Sequence, residues 1–187
     1  MKTYGDFQKN WREFRISDRK PPRHWYNYFY NDTYNAFTSQ VGVGEGLAQD
    51  RMGNRIFLVS GRAMYLCDKD SGKWFSANGY PFTRTFEQFS CRHGLGYSVT
   101  ESEAEGIRMA YTVFVPLEGN REIWMLRAEN TRGKNARLGV IPYASTETDG
   151  IYRPQAYNTD IGGFSEAHQA AFTRIFTSYG GKETTTK

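Results

Sequence analysis

The stretch from Ile107 to Val115 reads IRMAYTVFV and places a large apolar side chain at every second position. Successive side chains of a β-strand point to opposite faces, so this spacing predicts a strand with one thoroughly buried face. The turn residues EAEG at 103–106 precede it, and the run from Leu95 to Ser102 comes before them. We therefore predict an antiparallel hairpin whose return strand extends to Leu117.

Two further strand pairs are predicted on either side of this hairpin. Arg62–Cys67 and Lys73–Ser76 flank the polar turn at 68–72, and Arg121–Glu129 and Ala136–Ser145 flank a turn at 130–135 that contains Asn and Gly. Turn signals at this spacing are typical of a β-sandwich. The fold class predicted from the residues is therefore all-β, an antiparallel β-sandwich.

One short helix and three sequence regions complete the predicted organisation. Phe164–Phe172 is the only stretch that suggests a helix, with Ser165 as the N-cap and Glu166 in the first turn. We expect an N-terminal segment and loop at 1–24, a β-sandwich domain at 25–179 and a polar C-terminal tail at 180–187. No internal repeat is visible.

The composition indicates one globular domain with a polar surface. The chain has 187 residues, of which 39% are hydrophobic and 16% aromatic, and a net charge of +4. The positive charge is spread along the chain, whereas a nucleic-acid-binding protein would be expected to cluster it. The densest basic stretch, Arg15–Arg23, contains two prolines and is interpreted as a connecting loop. Because no secretory signal or long apolar run is visible, we expect a cytoplasmic protein without a membrane partner.

His93 is the most attractive catalytic candidate, because Arg92 and Glu87 lie nearby and imidazole titrates near neutral pH. Glycines on both sides favour a tightly packed, structural hydrogen-bonding histidine instead. Cys67 and Cys91 are interpreted as reduced thiols, and the few His and Cys residues lack zinc-ligand spacing. We expect no metal and no cofactor.

Other stretches that suggest a site have simpler explanations. Gly42–Gly46 is followed by Leu47, where a dinucleotide-binding loop needs glycine, and is interpreted as a β-turn. Asp68–Asp70 begins like a calcium loop but lacks the bidentate Glu at the twelfth position, so we interpret it as a hairpin turn. Three alternating glutamates at 101, 103 and 105 are interpreted as a solvated strand end rather than a catalytic pair.

An aromatic run from Trp25 to Phe37 leaves two interpretations open. Flat rings can stack on pyranose faces, and a free-standing carbohydrate-binding module would use Trp25, Tyr28 and Trp74. Packing in a core or at an interface is the favoured alternative. The large side chains at 25, 26, 28, 29 and 30 exceed what one sandwich face can bury, so we expect the isolated chain to self-associate.

Five motifs together carry a family resemblance. These are Cys91–Tyr97, Phe114–Pro116, Trp25–Tyr28 upstream, and Glu122–Trp124 with Asn130–Thr131 downstream. Their order resembles the amino-terminal β-sandwich domain of glycoside hydrolase family 94. That family contains inverting phosphorylases of cellobiose, chitobiose and other β-linked glucosides. The five motifs are specific for its sandwich domain, and none of them is a catalytic motif.

The resemblance implies a supersandwich, galactose-mutarotase-like, whose later strands are missing from this chain. It also implies that phosphorolysis occurs in a separate helical-barrel domain, absent here, on which the sandwich packs through its aromatic segment. In the family, an arginine-containing sandwich loop reaches the acceptor sugar. The segment 149–158 lies at the matching place, so Arg153 and Tyr157 are the predicted substrate-binding residues.

Taken alone, the chain is therefore expected to be inactive, with no catalytic residue. We expect it to bind β-linked glucosides weakly and to need a catalytic barrel domain or subunit as its partner. A free-standing carbohydrate-binding module is the alternative. A small hydrolase using His93 is a third hypothesis.

Overall fold

The computed structural model describes residues 3–8, 11–49, 55–79, 86–147, 161–179 and 182–186, and every regular element within them is a strand. In chain order they are β1 (Gly5–Phe7), β2 (Glu13–Ile16), β3 (Tyr26–Tyr30), β4 (Tyr34–Ser39), β5 (Gly44–Gln49), β6 (Arg55–Asp68), β7 (Lys73–Ser76), β8 (Gln88–Gly94), β9 (Tyr97–Ala104), β10 (Ile107–Phe114), β11 (Ile123–Asn130), β12 (Leu138–Glu147), β13 (Ile161–Ser165), β14 (Ala170–Tyr179) and β15 (Lys182–Thr186).

Two antiparallel sheets form the body of the molecule. The first sheet has the strand order β1-β2-β8-β9-β10-β11, and the second has the order β12-β6-β5-β4-β3 with β7 also paired to β6. Neighbouring hairpins account for most of this order, because strands close in sequence pair at little entropic cost. The predicted all-β, antiparallel sandwich is confirmed.

The hydrophobic core contains the inner faces of both sheets. Strand β10 alternates as predicted: Ile107, Met109, Tyr111 and Val113 are buried, whereas the residues between them are not. They form one cluster with inward side chains of the second sheet. From that sheet the cluster includes Phe29, Tyr34, Ala36, Ala48, Met64, Leu66 and Phe75.

The two hairpins predicted around short turns, β9–β10 and β6–β7, are confirmed. Strands β9 and β10 pair from Ala104 with Ile107, and the turn between them places Glu105 and Gly106 at φ of 55° and 66°. Two consecutive positive φ values match the twist of an antiparallel hairpin. Strands β6 and β7 pair around the turn at 69–72, where Gly72 N–H donates to the carbonyl of Asp68 at 2.7 Å.

The third predicted pair is wrong. Strand β11 pairs with β10 in the first sheet, whereas β12 pairs with β6 in the second. The segment between them therefore crosses from one sheet to the other. Arg132 forms an ion pair with Asp68 at 2.6 Å and Arg137 with Asp70 at 2.7 Å, so the crossing is fixed to the β6–β7 turn.

The predicted helix at Phe164–Phe172 is also wrong. Strand β13 ends at Ser165 and β14 begins at Ala170, and the turn between them places Gln169 at a φ of 48°. β14 pairs with β13 on one side and β15 on the other in a separate three-stranded sheet. Within Phe164–Phe172 the pairing is that of β13 with β14, and nine residues are too few for helical propensity to prevail over this row of interstrand hydrogen bonds.

Regular structure extends into both terminal regions. Residues 1–24, expected as a segment and loop, contribute β1 and β2 to the first sheet. The expected polar tail at 180–187 contains β15. The division of the chain at residue 25 stays a prediction.

Candidate functional site

The signature Cys91–Tyr97 forms the tight end of the β8–β9 hairpin. Gly94 pairs with Tyr97 across a two-residue connection, in which Gly96 has a φ of 84° that disfavours other residues. A Cβ atom at Gly94 would lie 2.4 Å from the Tyr97 ring. Both glycines are therefore explained by backbone geometry and close packing.

His93 is a structural hydrogen-bonding residue, as predicted. Its Nε2 lies 2.9 Å from the Trp25 carbonyl oxygen and its Nδ1 lies 2.9 Å from Ser98 Oγ. A carbonyl can only accept, so Nε2 carries the proton and Nδ1 accepts from the serine. Burial lowers the pKa of His93, which keeps the ring neutral. Both ring nitrogens are engaged, which argues against the small-hydrolase hypothesis.

Asn27 is the residue that sequence reasoning missed. From β3 of the second sheet, its Nδ2 donates to the carbonyl oxygens of Gly94 and Tyr97, each at 2.8 Å. It thus satisfies the turn of a hairpin that belongs to the first sheet. The signal was present as the Asn of the Trp25–Tyr28 motif. The His93 contact with Trp25 joins the same two sheets, so the two motifs fasten one end of the sandwich.

A charged network surrounds Arg92 on the outer side of the first sheet. Arg92 lies 3.5 Å from Glu13 and 3.2 Å from Glu101, and the Tyr97 hydroxyl donates to the same Glu13 carboxylate. This hydrogen bond is the principal reason that the pKa of Tyr97 is raised. Arg92 is therefore part of a partly exposed ion-pair network. The carboxylates that pair with Arg92 form none of the hydrogen bonds of the His93 ring described above.

The strongest electrostatic feature is a buried ion pair between Arg62 and Glu122. Arg62 Nε and Nη2 donate to the two carboxylate oxygens at 2.5 and 2.8 Å, and the side chains are 1% and 6% exposed. Arg62 also donates to the Phe37 carbonyl at 3.1 Å, and Trp124 Nε1 donates to Glu122 at 2.7 Å. These bonds satisfy both charges, as burial requires.

Two further residues define the space around this pair. Burial raises the pKa of the Tyr34 hydroxyl, and the Glu122 carboxylate raises it further. At Gly46, an added Cβ would lie 2.3 Å from that hydroxyl and 2.7 Å from Glu122. Glycine is thus required there by space. The network is buried and joins β6 of the second sheet to the residue that precedes β11 of the first, so it acts as a structural link between the sheets.

The predicted carbohydrate-binding residues do not form one platform. The Trp25 ring packs 5.0 Å from Phe14 of the first sheet, and Tyr28 lies 5.6 Å from Phe37. Trp74 is on β7, which is separated from β3 by three strands in the order of the second sheet.

Strand β3 divides the aromatic run between two faces. Tyr26, Tyr28 and Tyr30 are 41%, 67% and 73% exposed on the outer face, as their alternation predicts. Phe29 is 2% exposed and belongs to the core. Counting Phe29 among the uncovered rings was therefore wrong.

The remaining sequence candidates have structural roles. The β-turn predicted at Gly42–Gly46 lies earlier than expected: Gly42 has a φ of 83° and its N–H donates to the Ser39 carbonyl at 3.0 Å, whereas Gly44–Gly46 belong to β5. Glu101 and Glu105 are ion-paired near the surface, but Glu103 is buried beside Arg108 and Thr131, so the solvated strand end is wrong for that residue.

Metal and membrane signals are absent from the described part of the chain. No group of three or more His, Cys, Asp or Glu side chains there could hold a metal ion, and no helix there is long and apolar enough to span a membrane. Cys67 and Cys91 are free thiols. Burial raises the pKa of Cys91 to about 12, so it is an unreactive core residue.

Arg153 and Tyr157, the predicted substrate-binding residues, lie outside the described residues. Within those residues, an open groove of about 310 Å³ runs along the loop between β2 and β3. It is lined by Arg19, Lys20, Pro21, Pro22, Arg23, His24, Gln40 and Val41.

Together these observations define the class of protein: a two-sheet β-sandwich domain whose characteristic motifs hold its sheets together. The model of the family described as "Glycosyl hydrolase 94, supersandwich domain" matches residues 12–149. The chain belongs to this family of glycoside hydrolase 94 supersandwich domains.

Curated relatives agree with this assignment. The chain is similar to 3-O-beta-D-glucopyranosyl-beta-D-glucuronide phosphorylase from Paenibacillus borealis, with 34% identity over 149 residues, 80% of this chain and 19% of the relative. It is 28% identical to solabiose phosphorylase from the same organism, over 86% of this chain and 22% of the relative. It is 30% identical to N,N'-diacetylchitobiose phosphorylase from Vibrio proteolyticus, over 68% and 17%. The chain therefore spans about a fifth of the length of these relatives.

Proposed function

We propose that this chain acts as the accessory β-sandwich of a phosphorylase of β-linked glucosides. The observation that carries the proposal is the family match over 12–149 together with relatives that are named phosphorylases and are about five times longer. Because the matched family model is that of a supersandwich domain, we propose a structural contribution for residues 12–149. The proposed partner is the helical-barrel catalytic domain or subunit.

Open sheet edges support the need for a partner. Strands β11 and β12 end the strand orders of the two sheets, and both carry apolar side chains that are about half exposed. These are Met125, Val140, Ile141 and Tyr143, which are 51%, 49%, 45% and 48% exposed. Uncovered edges and apolar patches favour association, either with the barrel domain or with a second copy of the chain.

The substrate side of the proposal concerns the segment 149–158. We propose that Arg153 and Tyr157 contact the acceptor sugar of a β-linked disaccharide when the catalytic domain is present. The names of the relatives, which include a glucosyl glucuronide and diacetylchitobiose, support a β-linked glycoside as the substrate class. An isolated half of such a site would bind sugar only weakly, because few polar groups converge on it. A cytoplasmic location stays part of this proposal.

The first test is an activity assay of the purified chain with inorganic phosphate and cellobiose, laminaribiose or diacetylchitobiose. We expect no release of sugar 1-phosphate, because inverting phosphorolysis needs a positioned acid and a phosphate site. Adding the barrel region of the Paenibacillus borealis glucuronide phosphorylase, prepared without its own sandwich, should raise the activity of that barrel.

Variants then separate the proposed roles. Arg153→Ala should raise the KM for the acceptor in the reconstituted mixture and leave kcat nearly unchanged, whereas Arg15→Ala at an exposed position of β2 should change neither. Phosphate-dependent turnover by the chain alone would contradict the accessory role. Micromolar binding of cellobiose to the isolated chain in calorimetry would instead favour a dedicated carbohydrate-binding module.

A further inference from the structure

The loop between β2 and β3 is a preformed arch. Gln40, only 1% exposed, accepts a hydrogen bond from Trp25 N–H at 3.1 Å and donates to the Arg19 carbonyl at 3.3 Å. One buried side chain therefore fixes both ends of the loop. Pro21 and Pro22 restrict the backbone between these ends. The groove under this arch is thus shaped before any ligand arrives, which lowers the entropic cost of binding.

Arg19 anchors the inner wall of the groove. Its Nη2 donates to the Gly79 carbonyl at 2.8 Å, and its guanidinium group lies 5.4 Å from the centroid of the Phe86 ring. These contacts hold a positive charge in a partly buried position. The Arg19 guanidinium group is therefore held in a fixed position, from which it contributes positive electrostatic potential to the groove.

The charge of the groove is one-sided. Lys20, Arg23 and His24 are exposed along it, and no acidic side chain lines it. Within the described residues no ion pair neutralises Lys20 or Arg23; the nearby Asp18 carboxylate accepts the Lys20 backbone N–H at 2.8 Å. The contrast with the first sheet is informative, because Arg92 and Arg108 there each lie beside two glutamates.

The groove also has a flat ring in its lining. The His24 side chain lines the groove, and its ring lies 6.0 Å from that of Tyr26, which is outside the lining. A volume of about 310 Å³ is at the small end of ligand sites and matches a single sugar ring with a charged substituent. Cationic side chains beside this ring form a suitable environment for such a ligand, since lysine and arginine bind carboxylates and phosphates through charge-assisted hydrogen bonds.

We propose that this groove binds an anionic monosaccharide, with Lys20 and Arg23 holding its carboxylate or phosphate group and His24 contacting its ring. The inference goes beyond the proposed function, because it needs neither a catalytic partner nor turnover.

The experiment is a titration of the whole chain, followed by nuclear magnetic resonance and calorimetry at constant ionic strength. The probes are glucuronate, glucose 1-phosphate, inorganic phosphate and glucose. We expect at least one charged sugar to bind at least tenfold more tightly than glucose and more tightly than inorganic phosphate. Preference for glucuronate would assign the groove to carboxylates, and preference for glucose 1-phosphate would assign it to phosphate esters.

Matched variants test the residues. Lys20→Ala combined with Arg23→Ala should weaken binding at least tenfold, and His24→Ala should weaken the binding of charged sugars but not that of inorganic phosphate. The control, Arg127→Ala combined with Lys134→Ala, removes the same charge from exposed positions elsewhere and should retain binding. All substituted side chains are exposed, so thermal unfolding should confirm intact folds.

Three results would overturn the proposal. These are the absence of charged-sugar binding, equal losses in the groove variant and the control, and binding of inorganic phosphate as tight as that of the sugars. The second would show long-range charge attraction, and the third would show an anion site without sugar contacts. None of these three results would bear on the accessory role, because that role is tested by the activity of the barrel.

Discussion

The outer faces of the two sheets are chemically opposite. The first sheet presents interleaved charges, with Arg92 between Glu13 and Glu101 and Arg108 between Glu103 and Glu129. The second sheet presents aromatic rings that are 41–73% exposed. These are Tyr26, Tyr28, Tyr30, Trp74 and Tyr143.

The difference shows which of the two outer faces is favourable when it is exposed to water. Opposite charges on neighbouring strands stabilise a solvated face modestly and keep it soluble. Burying aromatic rings away from water is energetically favourable, so the second face is suited to contact with a protein or a sugar. The outer face of the first sheet is therefore suited to contact with water, whereas the outer face of the second sheet is suited to association.

The largest expected effect separates buried charge from the charged outer face. Glu122→Ala should destabilise the chain by about 3–5 kcal/mol, because it leaves the Arg62 guanidinium buried without its partner. Glu129→Ala, which removes an exposed partner of Arg108, should cost less than about 1 kcal/mol. Chemical denaturation measures both. Similar losses for the two variants would mean that the inner pair is accessible to water.

The next effect concerns the fastening between the sheets. Asn27→Ala should cost about 1–3 kcal/mol, because two turn carbonyls lose the donor that reaches them from the other sheet. Asn35→Ala on the neighbouring strand is the control, since that amide donates only to the partly exposed Gln49 side chain at 2.8 Å. Denaturant midpoints at constant m-value provide the comparison. A neutral Asn27→Ala variant would show that the sheets do not depend on this contact.

A direct test of the aromatic face is to give it the character of the charged one. Tyr28→Lys combined with Tyr30→Lys should reduce self-association at high protein concentration several-fold, because association would no longer bury the two aromatic rings. Sedimentation velocity measures the change. Ser71→Lys combined with Asn135→Lys, which adds two positive charges at exposed positions away from β3, should leave self-association unaltered. A wild-type chain that stays monomeric would contradict the expectation.

The smallest effect is a pH dependence from His93. Its folded-state pKa is lowered by burial, so the unfolded chain binds the extra proton first. Stability should be constant above the ordinary histidine pKa of about 6.5 and should decline as the pH falls from there toward the lowered folded-state value. Melting temperatures between pH 7.5 and 5.5 measure the decline. His93→Gln should flatten it over that interval, and an unchanged slope would assign the effect to another group.

Sequence reasoning succeeded where structure is local. Alternation fixed the buried face of β10, and turn residues fixed the β9–β10 and β6–β7 hairpins, because adjacent strands are joined by short connections. It also placed the exposed tyrosines of β3 on one face. It failed for Phe164–Phe172, where a nine-residue pattern was interpreted as a helix although the pairing of β13 with β14 prevailed.

The site was less predictable than the fold. His93 could be given a structural role from its glycine neighbours, but its acceptor at Trp25 is 68 residues away in the chain. Glu122 appeared only as part of a motif, and its partner Arg62 is 60 residues away. The groove was interpreted as a plain connecting loop, because nothing in residues 19–24 reveals the distant Gln40 that closes the arch.

The sequence by itself determined the strand content, the local hairpins and the family, since each depends on residues that are close in the chain or on motifs in fixed order. Tertiary structure alone decided that β11 and β12 join different sheets, that Arg62 and Glu122 form a buried ion pair, and that the two outer faces differ in character. The physical reason is that periodicity specifies which face of a strand is apolar but not which strand lies beside it. That choice depends on packing, charge pairing and turn geometry contributed by residues far apart in the chain.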